Sequence, residues 1–163
     1  MKIEKNVESI KSDKFLKELS SCRNDTNSYL RKLLPNENKE KLYDAINYAI
    51  FSGGKRFRAF LVIQAAKLFD IPRIRALQAA SAIEATHAYS LVHDDLPSMD
   101  NDDIRRGKPT VHIKWDEATA VLVGDALQAF AYQILSDKKT HPKSEVRLNL
   151  IKTLSDASGY NGM

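Results

Sequence analysis

Apolar positions recur along most of the chain at three- and four-residue spacing, the pattern of helices that bury one face. Leu42, Ala45, Ile46, Ala49 and Ile50 form one such stripe before Gly53-Gly54, which predicts an amphipathic helix with a glycine stop. Phe57, Phe60, Leu61, Gln64, Ala65 and Leu68 resume the period until Ile71-Pro72, where the residue preceding a proline is driven out of helical geometry. A third helix is predicted from about Arg73 to the neighbourhood of Leu96, closed by Pro97; its alanine-rich, mostly uncharged make-up assigns it a central place. Two more helices follow, over 117–135 and 144–157, joined by the solvated loop SDKKTHPK at 136–143. Upstream, Ile10, Phe15, Leu16 and Leu19, then Tyr29, Leu30, Leu33 and Leu34, predict two shorter helices around a turn at Asn24-Asp25. With no alternating strand pattern of useful length and no internal repeat, the expected architecture is all-α, one domain over 1–163.

Composition narrows the classes. A chain of 163 residues with 43% hydrophobic and 28% charged content is of single-domain size and globular, and six glycines with five prolines exclude a collagenous chain. The lone cysteine, Cys22, permits neither an internal disulfide nor a cysteine-based zinc site, which fits a reducing compartment. No uninterrupted run of about 18 apolar residues exists, and Lys2, Glu4, Lys5 and Glu8 break the region where a signal-peptide core would lie. The expectation is a cytoplasmic protein without a membrane span. The net charge of +4 is mild, and the acidic stretch described next interrupts any continuous positive groove, so nucleic acid is set aside as a partner.

The chemistry concentrates in 89–109, YSLVHDDLPSMDNDDIRRGKP, where Asp94, Asp95, Asp100, Asp102 and Asp103 fall within ten positions. An acidic cluster of this kind is commonly a solvated loop. Here it follows a largely apolar helix, and hard oxygen donors without histidine-cysteine spacing suit Mg²⁺, which takes one or two carboxylates and leaves its other positions to water and phosphate oxygens. On an ideal helix Asp100 lies about 120° around and about 9 Å along from Asp94. The two could share an ion only if the chain breaks near Pro97 and turns back. His87 and Ser90 lie within about 40° of Asp94, placing one polar stripe on the helix ahead of the carboxylate. Basic residues flank the cluster: Arg105 and Arg106 follow it, and Lys55, Arg56 and Arg58 begin directly after Gly53-Gly54. The glycine-basic turn reads either as a solvated helix start or as an anion cradle; joined to a magnesium-grade carboxylate set it describes a site for diphosphates.

The segments GGKRFRAF (53–60), HAYSLVHDDLPSMDNDDIRRGKPT (87–110) and DEATAVLVGDAL (116–127) resemble the trans-isoprenyl diphosphate synthases, particularly the bacterial farnesyl diphosphate synthase branch, over about 43–163. The resemblance implies an isoprenoid synthase-type helical bundle around a central cavity. It also implies a Mg²⁺-dependent condensation of an allylic diphosphate, dimethylallyl or geranyl, with isopentenyl diphosphate. By resemblance Asp94 and Asp100 bind the magnesium ions that hold the allylic diphosphate, Asp95 supports them, and Arg105 contacts the same diphosphate. Gly54, Lys55, Arg58, His87 and Arg106 hold isopentenyl diphosphate. Tyr89 and Ser90 resemble positions that restrict product length, which favours a C15 product. The second aspartate-rich motif, further diphosphate ligands and the C-terminal helices of the family pattern are missing from these 163 residues. The chain alone is therefore expected to be inactive or very weakly active, working as a homodimer or with a complementing C-terminal chain. The competing reading is a non-catalytic helical partner or pseudoenzyme of a full-length synthase.

Overall fold

The computed structural model describes residues 2–34 and 40–162, with side chains from residue 13 onward. Helix α1 (Lys2–Leu33) leads into α2 (Lys41–Phe51), α3 (Phe57–Leu68) and α4 (Arg73–Asp94). A two-stranded ribbon, β1 (Ile104–Arg105) and β2 (Lys108–Pro109), and the single turn α5 (Val111–Lys114) precede α6 (Glu117–Ser136) and α7 (Ser144–Ser158). The all-α architecture expected from periodicity is the one observed. As its composition predicts, α4 is central: it meets α1, α2, α3 and α6, most extensively α6, and Ala80, Ala82 and Ala85 are fully buried along it. Small side chains there let neighbouring helix backbones approach closely. The core between α2, α4 and α6 is filled by Ile50, Val92, Leu96, Val123 and Leu127.

Where the helices meet, a glycine and a histidine interlock. A Cβ on Gly124 of α6 would stand 2.0 Å from His93 Nε2, so the imidazole occupies the space that the glycine leaves and lies 3.1 Å from the Val121 carbonyl. Helix α6 is long and apolar enough by composition to cross a membrane, although Asp125 interrupts its apolar run. Its place in this fold is against α4, with Val123, Leu127, Ala131 and Ile134 buried.

Three sequence expectations are corrected. The turn at Asn24-Asp25 does not form: α1 runs through it. Asp25 and the two polar residues after it have tertiary and local partners. Asp25 pairs with Arg73 of α4, the Thr26 hydroxyl donates to the Cys22 carbonyl at 2.7 Å, and Asn27 accepts from Arg56 at 2.9 Å. The Ile10 side chain lies outside the described residues. Second, α4 stops at Asp94, about a turn short of Pro97. Third, a strand pair does exist, its strands of two residues too short to show alternation; its turn residues Arg106 and Gly107 both have positive φ, 54° and 73°, as a two-residue hairpin requires. The stop between α3 and α4 is a Schellman closure, with Ile71 N–H on the Ala66 carbonyl at 3.0 Å and Asp70 at φ 53° in the left-handed position usually given to glycine.

Candidate functional site

The break after α4 performs the folding-back that the carboxylates need. Four backbone bonds close 94–102 into a compact loop: Asp100 N–H to the Asp94 carbonyl at 2.8 Å, Met99 and Asn101 N–H to Leu96, and Asp102 N–H to Asp95. Asn101 adopts φ 54° to complete it. Asp94 and Asp100, which an unbroken helix would point apart, thus issue from adjoining backbone. Asp94 is half-buried and Asp100 exposed.

Asp95 is different. It is buried, 4% exposed, and accepts from Arg105 Nε at 2.6 Å; Arg105 also reaches Asp102 at 3.3 Å. That pairing raises the Arg105 pKa above its ordinary value, the Asp95 hydrogen bond being the main cause. Asp95 therefore anchors the ribbon to the end of α4.

A cavity lies between α2, α4 and the ribbon, lined by His87, Leu91, Asp95, Arg56, Arg105 and Arg106 among others. The α4 stripe facing it passes through 87, 91 and 95, about 0°, 40° and 80° around the helix. Ser90 and Asp94, at about −60° and −20°, lie outside its lining, so the His87–Ser90–Asp94 stripe expected from the sequence is not the one that lines the cavity. The Ser90 hydroxyl bonds the His87 carbonyl of its own helix at 3.0 Å. Tyr89 packs on the central core and meets the edge of His93, ring centroids 5.0 Å apart.

The basic turn between α2 and α3 gives Ser52 and Arg56 to the cavity wall, while Arg58 lies outside that lining and Lys55 lines a separate hollow with Phe15 and Arg23. Gly53 and Gly54 have φ 109° and 111°, conformations open to glycine alone without strain. Arg106 donates to the Gly53 carbonyl, and a Cβ on Gly54 would stand 2.8 Å from Arg106 Nη1. Gly54 is required for that approach as well as for its φ. Arg58 Nη1 is 3.5 Å from His87 Nε2; Lys55 is exposed on the same turn. Burial, and after it the Arg58 charge, holds the His87 pKa below its ordinary 6.5. Burial, and after it the Arg56 charge, lowers that of Arg106. Cations gathered at this density repel one another, and an anion among them relieves the repulsion.

What holds the turn in place was not identified as functional from the sequence. Arg56, 6% exposed and at φ 54°, pairs with Glu84 of α4 at 3.2 Å, donates to Asn27 of α1 and donates to the Ile50 carbonyl of α2. The other Glu84 oxygen accepts the Ala59 N–H of α3 at 3.0 Å. One buried ion pair thereby ties four helices beneath the basic turn. The available signal was Glu84 itself, the one acidic side chain between Arg73 and His93 in an alanine-rich helix.

Among the described residues no three of His, Cys, Asp and Glu converge into a ready-made metal site. Two carboxylates on adjoining backbone, with Asp95 taken up by Arg105, suit an ion that completes its shell with water and phosphate oxygens rather than one caged by protein.

These features define a class: an all-α bundle with an arginine-rich cavity beside a carboxylate turn. The family model for polyprenyl synthetase matches residues 39–160, and the chain belongs to that family. It is 51% identical over 122 residues to farnesyl diphosphate synthase of Haemophilus influenzae, covering 75% of this chain and 41% of that protein. Against farnesyl diphosphate synthase of Escherichia coli the identity is 42% over 153 residues, covering 91% and 51%. Among solved structures, an FPP/GFPP synthase from Zymomonas mobilis superposes with a TM-score of 0.85 at 49% identity, covering 89% of this chain and 53% of that one. The geranyltransferase of Legionella pneumophila gives 0.85 at 42%, covering 93% and 55%. The chain spans about half the length of the relatives it matches.

Proposed function

We propose that this chain carries one half of the diphosphate-handling machinery of a trans-prenyltransferase that joins isopentenyl diphosphate to dimethylallyl or geranyl diphosphate, with farnesyl diphosphate as product. The observation that carries the reading is the closure of 94–102, in which Asp100 N–H meets the Asp94 carbonyl at 2.8 Å and the two carboxylates leave neighbouring backbone. Asp94 and Asp100 are the residues that would hold Mg²⁺. A bound Mg²⁺ would neutralise diphosphate oxygens and favour their departure as pyrophosphate.

The chain's own cations do the rest of the electrostatic work. Arg105, fixed by Asp95, faces the allylic diphosphate; Arg58, Lys55, His87 and Arg106, with the open backbone at Gly54, hold isopentenyl diphosphate. When the allylic C–O bond breaks, pyrophosphate leaves with the electron pair, and the isopentenyl double bond attacks the carbocation to form the new C–C bond before a proton is lost. No side-chain nucleophile is needed; charge placement, orientation and exclusion of water suffice. Tyr89, held by His93, supplies a floor for the growing chain. These 163 residues, about half the relatives' length, supply diphosphate binding on this reading, with a second copy or a further segment packed against them as partner. Exposed Val121, Leu122 and Leu148 offer apolar surface for such a partner.

The test is thermal denaturation with geranyl diphosphate, with and without Mg²⁺. Saturation at about 100 times Kd stabilises by about 2.7 kcal/mol, a rise of about 5–11 °C for a chain of this size. Asp94→Asn is expected to remove the Mg²⁺-dependent part and Arg58→Met to weaken the remainder. Absence of any Mg²⁺-dependent shift in the unmodified chain overturns the proposal in favour of a non-catalytic helical partner.

A further inference from the structure

Beside the diphosphate cavity, sharing only the Tyr48 and Ser52 walls with it, a larger groove opens between the end of α1, α2, the ribbon and α5. Three cations line it: Arg31 from α1, Lys108 from β2 and Lys114 from α5, against one carboxylate, Asp44. Among the described residues none of the three forms an ion pair. Two of them are positioned by aromatic faces. The Arg31 guanidinium lies 4.1 Å from the Phe51 ring centroid, and the Lys114 ammonium lies 4.7 Å from that of Tyr48 and 5.1 Å from that of Trp115. Tyr48 and Trp115 are themselves locked edge to face at 5.2 Å, and the Tyr48 hydroxyl donates to the Pro109 carbonyl at 2.7 Å.

A ring quadrupole orients a cation without neutralising it. Among the described residues the groove therefore holds three positioned positive charges against the single carboxylate of Asp44. They come from three separate elements, so a monovalent ion could satisfy only one at a time, whereas an anion with charge at both ends could bridge them. Each of the three rings already carries a cation over one face, and the unmet charge on those cations favours a phosphate over a nucleobase.

We propose that this groove is a second anion site, distinct from the diphosphate cavity, that takes a compact multivalent phosphate such as inorganic pyrophosphate. Its occupancy bears on the cavity through the ribbon. The same six-residue hairpin, 104–109, gives Lys108 to the groove and Arg105 and Arg106 to the cavity, and Tyr48 ties the groove wall to the strand at Pro109. The site stands on the groove's own residues and does not depend on the prenyltransferase reading.

The chain contains one tryptophan, and Trp115 lies in this groove, so its fluorescence reports on the groove directly. The experiment titrates inorganic pyrophosphate, without divalent metal, into the full 163-residue chain at constant ionic strength. The expected result is a saturable fluorescence change. In Arg31→Met/Lys108→Met, which leaves Lys114 beside the indole, the apparent Kd rises about tenfold or more, the loss of roughly one charge-assisted contact or more. In Arg58→Met/Arg106→Met the response stays within about twofold, because neither residue lines the groove. Lys108→Met alone, at an exposed ribbon position, provides a milder variant if the double one folds poorly. A response that is absent, that sodium chloride reproduces at equal ionic strength, or that the Arg58/Arg106 variant abolishes overturns the groove site. A groove response together with calorimetry that finds no second pyrophosphate class, in wild type or in the Arg31/Lys108 variant, counts against the cavity reading and leaves the groove intact.

Discussion

Substituting Glu84 by Gln removes one charge from the junction beneath the basic turn while keeping the side chain's size. In the native arrangement each carboxylate oxygen has its own donor: Oε2 faces Arg56 Nη1 at 3.2 Å and Oε1 accepts from Ala59 N–H at 3.0 Å. Glutamine offers one acceptor and one NH₂, so whichever way the amide turns, two donors face each other across one of these contacts. The Arg56 guanidinium, whose side chain is 4% exposed, is left without its counter-charge. Breaking a buried ion pair by removing one partner costs about 3–5 kcal/mol, a large share of the roughly 5–15 kcal/mol that holds a domain folded.

The expected outcome for Glu84→Gln is therefore a loss of about 3–5 kcal/mol in urea denaturation followed by far-UV circular dichroism, equivalent to about 6–20 °C in Tm. Arg56→Met should cost a comparable amount, because it leaves Glu84 charged and the Asn27 and Ile50 acceptors unsatisfied. The double variant is the decisive measurement. If the two side chains act as a pair, its loss falls short of the sum of the single losses by at least about 1 kcal/mol. A Glu84→Gln loss under about 1 kcal/mol, or strict additivity in the cycle, would refute the claim that this pair secures the turn carrying Lys55 and Arg58.

Two other perturbations probe neighbouring contacts. Gly124→Ala places a methyl group where the His93 imidazole sits and should destabilise the chain by about 1–3 kcal/mol, with His93→Ala in the same chain restoring part of the loss; equal stability of Gly124→Ala and wild type in the same urea assay rules out the interlock. His87, whose pKa burial and Arg58 hold below 6.5, binds fewer protons folded than unfolded in mild acid. Its contribution to stability is complete above 6.5 and is lost as pH falls through the folded value, so the urea midpoint should decline on acidification more steeply in wild type than in His87→Gln. A proton NMR titration giving His87 a pKa at or above 6.5 contradicts this.

Periodicity reached the helices because a 3.6-residue repeat is a local property, and the alanine-rich composition of α4 announced its central place for the same reason. Polarity misled where a polar residue was serving a distant partner. Asn24-Asp25 looked like a turn, yet Asp25 answers Arg73, 48 positions away. The candidate site was legible as a list of residues and only partly as an arrangement. That the helix must break between Asp94 and Asp100 followed from the 100° step per residue, and the closed loop at 94–102 meets that requirement. Which side of α4 would face the cavity could not follow, because it depends on how the helix rolls against α6, and that roll is set by contacts such as His93 in the space above Gly124.

The same limit explains why Asp94 and Asp95, adjacent in sequence, have parted ways. A helix step of about 100° puts Asp95 inward, where burial demands a counter-charge and Arg105 provides it at 2.6 Å, and leaves Asp94 at the open edge. On the proposed reading an ion shared with a diphosphate needs a carboxylate that the protein has not already neutralised, so the inner aspartate would serve by holding the ribbon and the outer one would reach the ligand. The division of labour arises from the helix geometry and the depth of burial, with no difference in residue type to signal it.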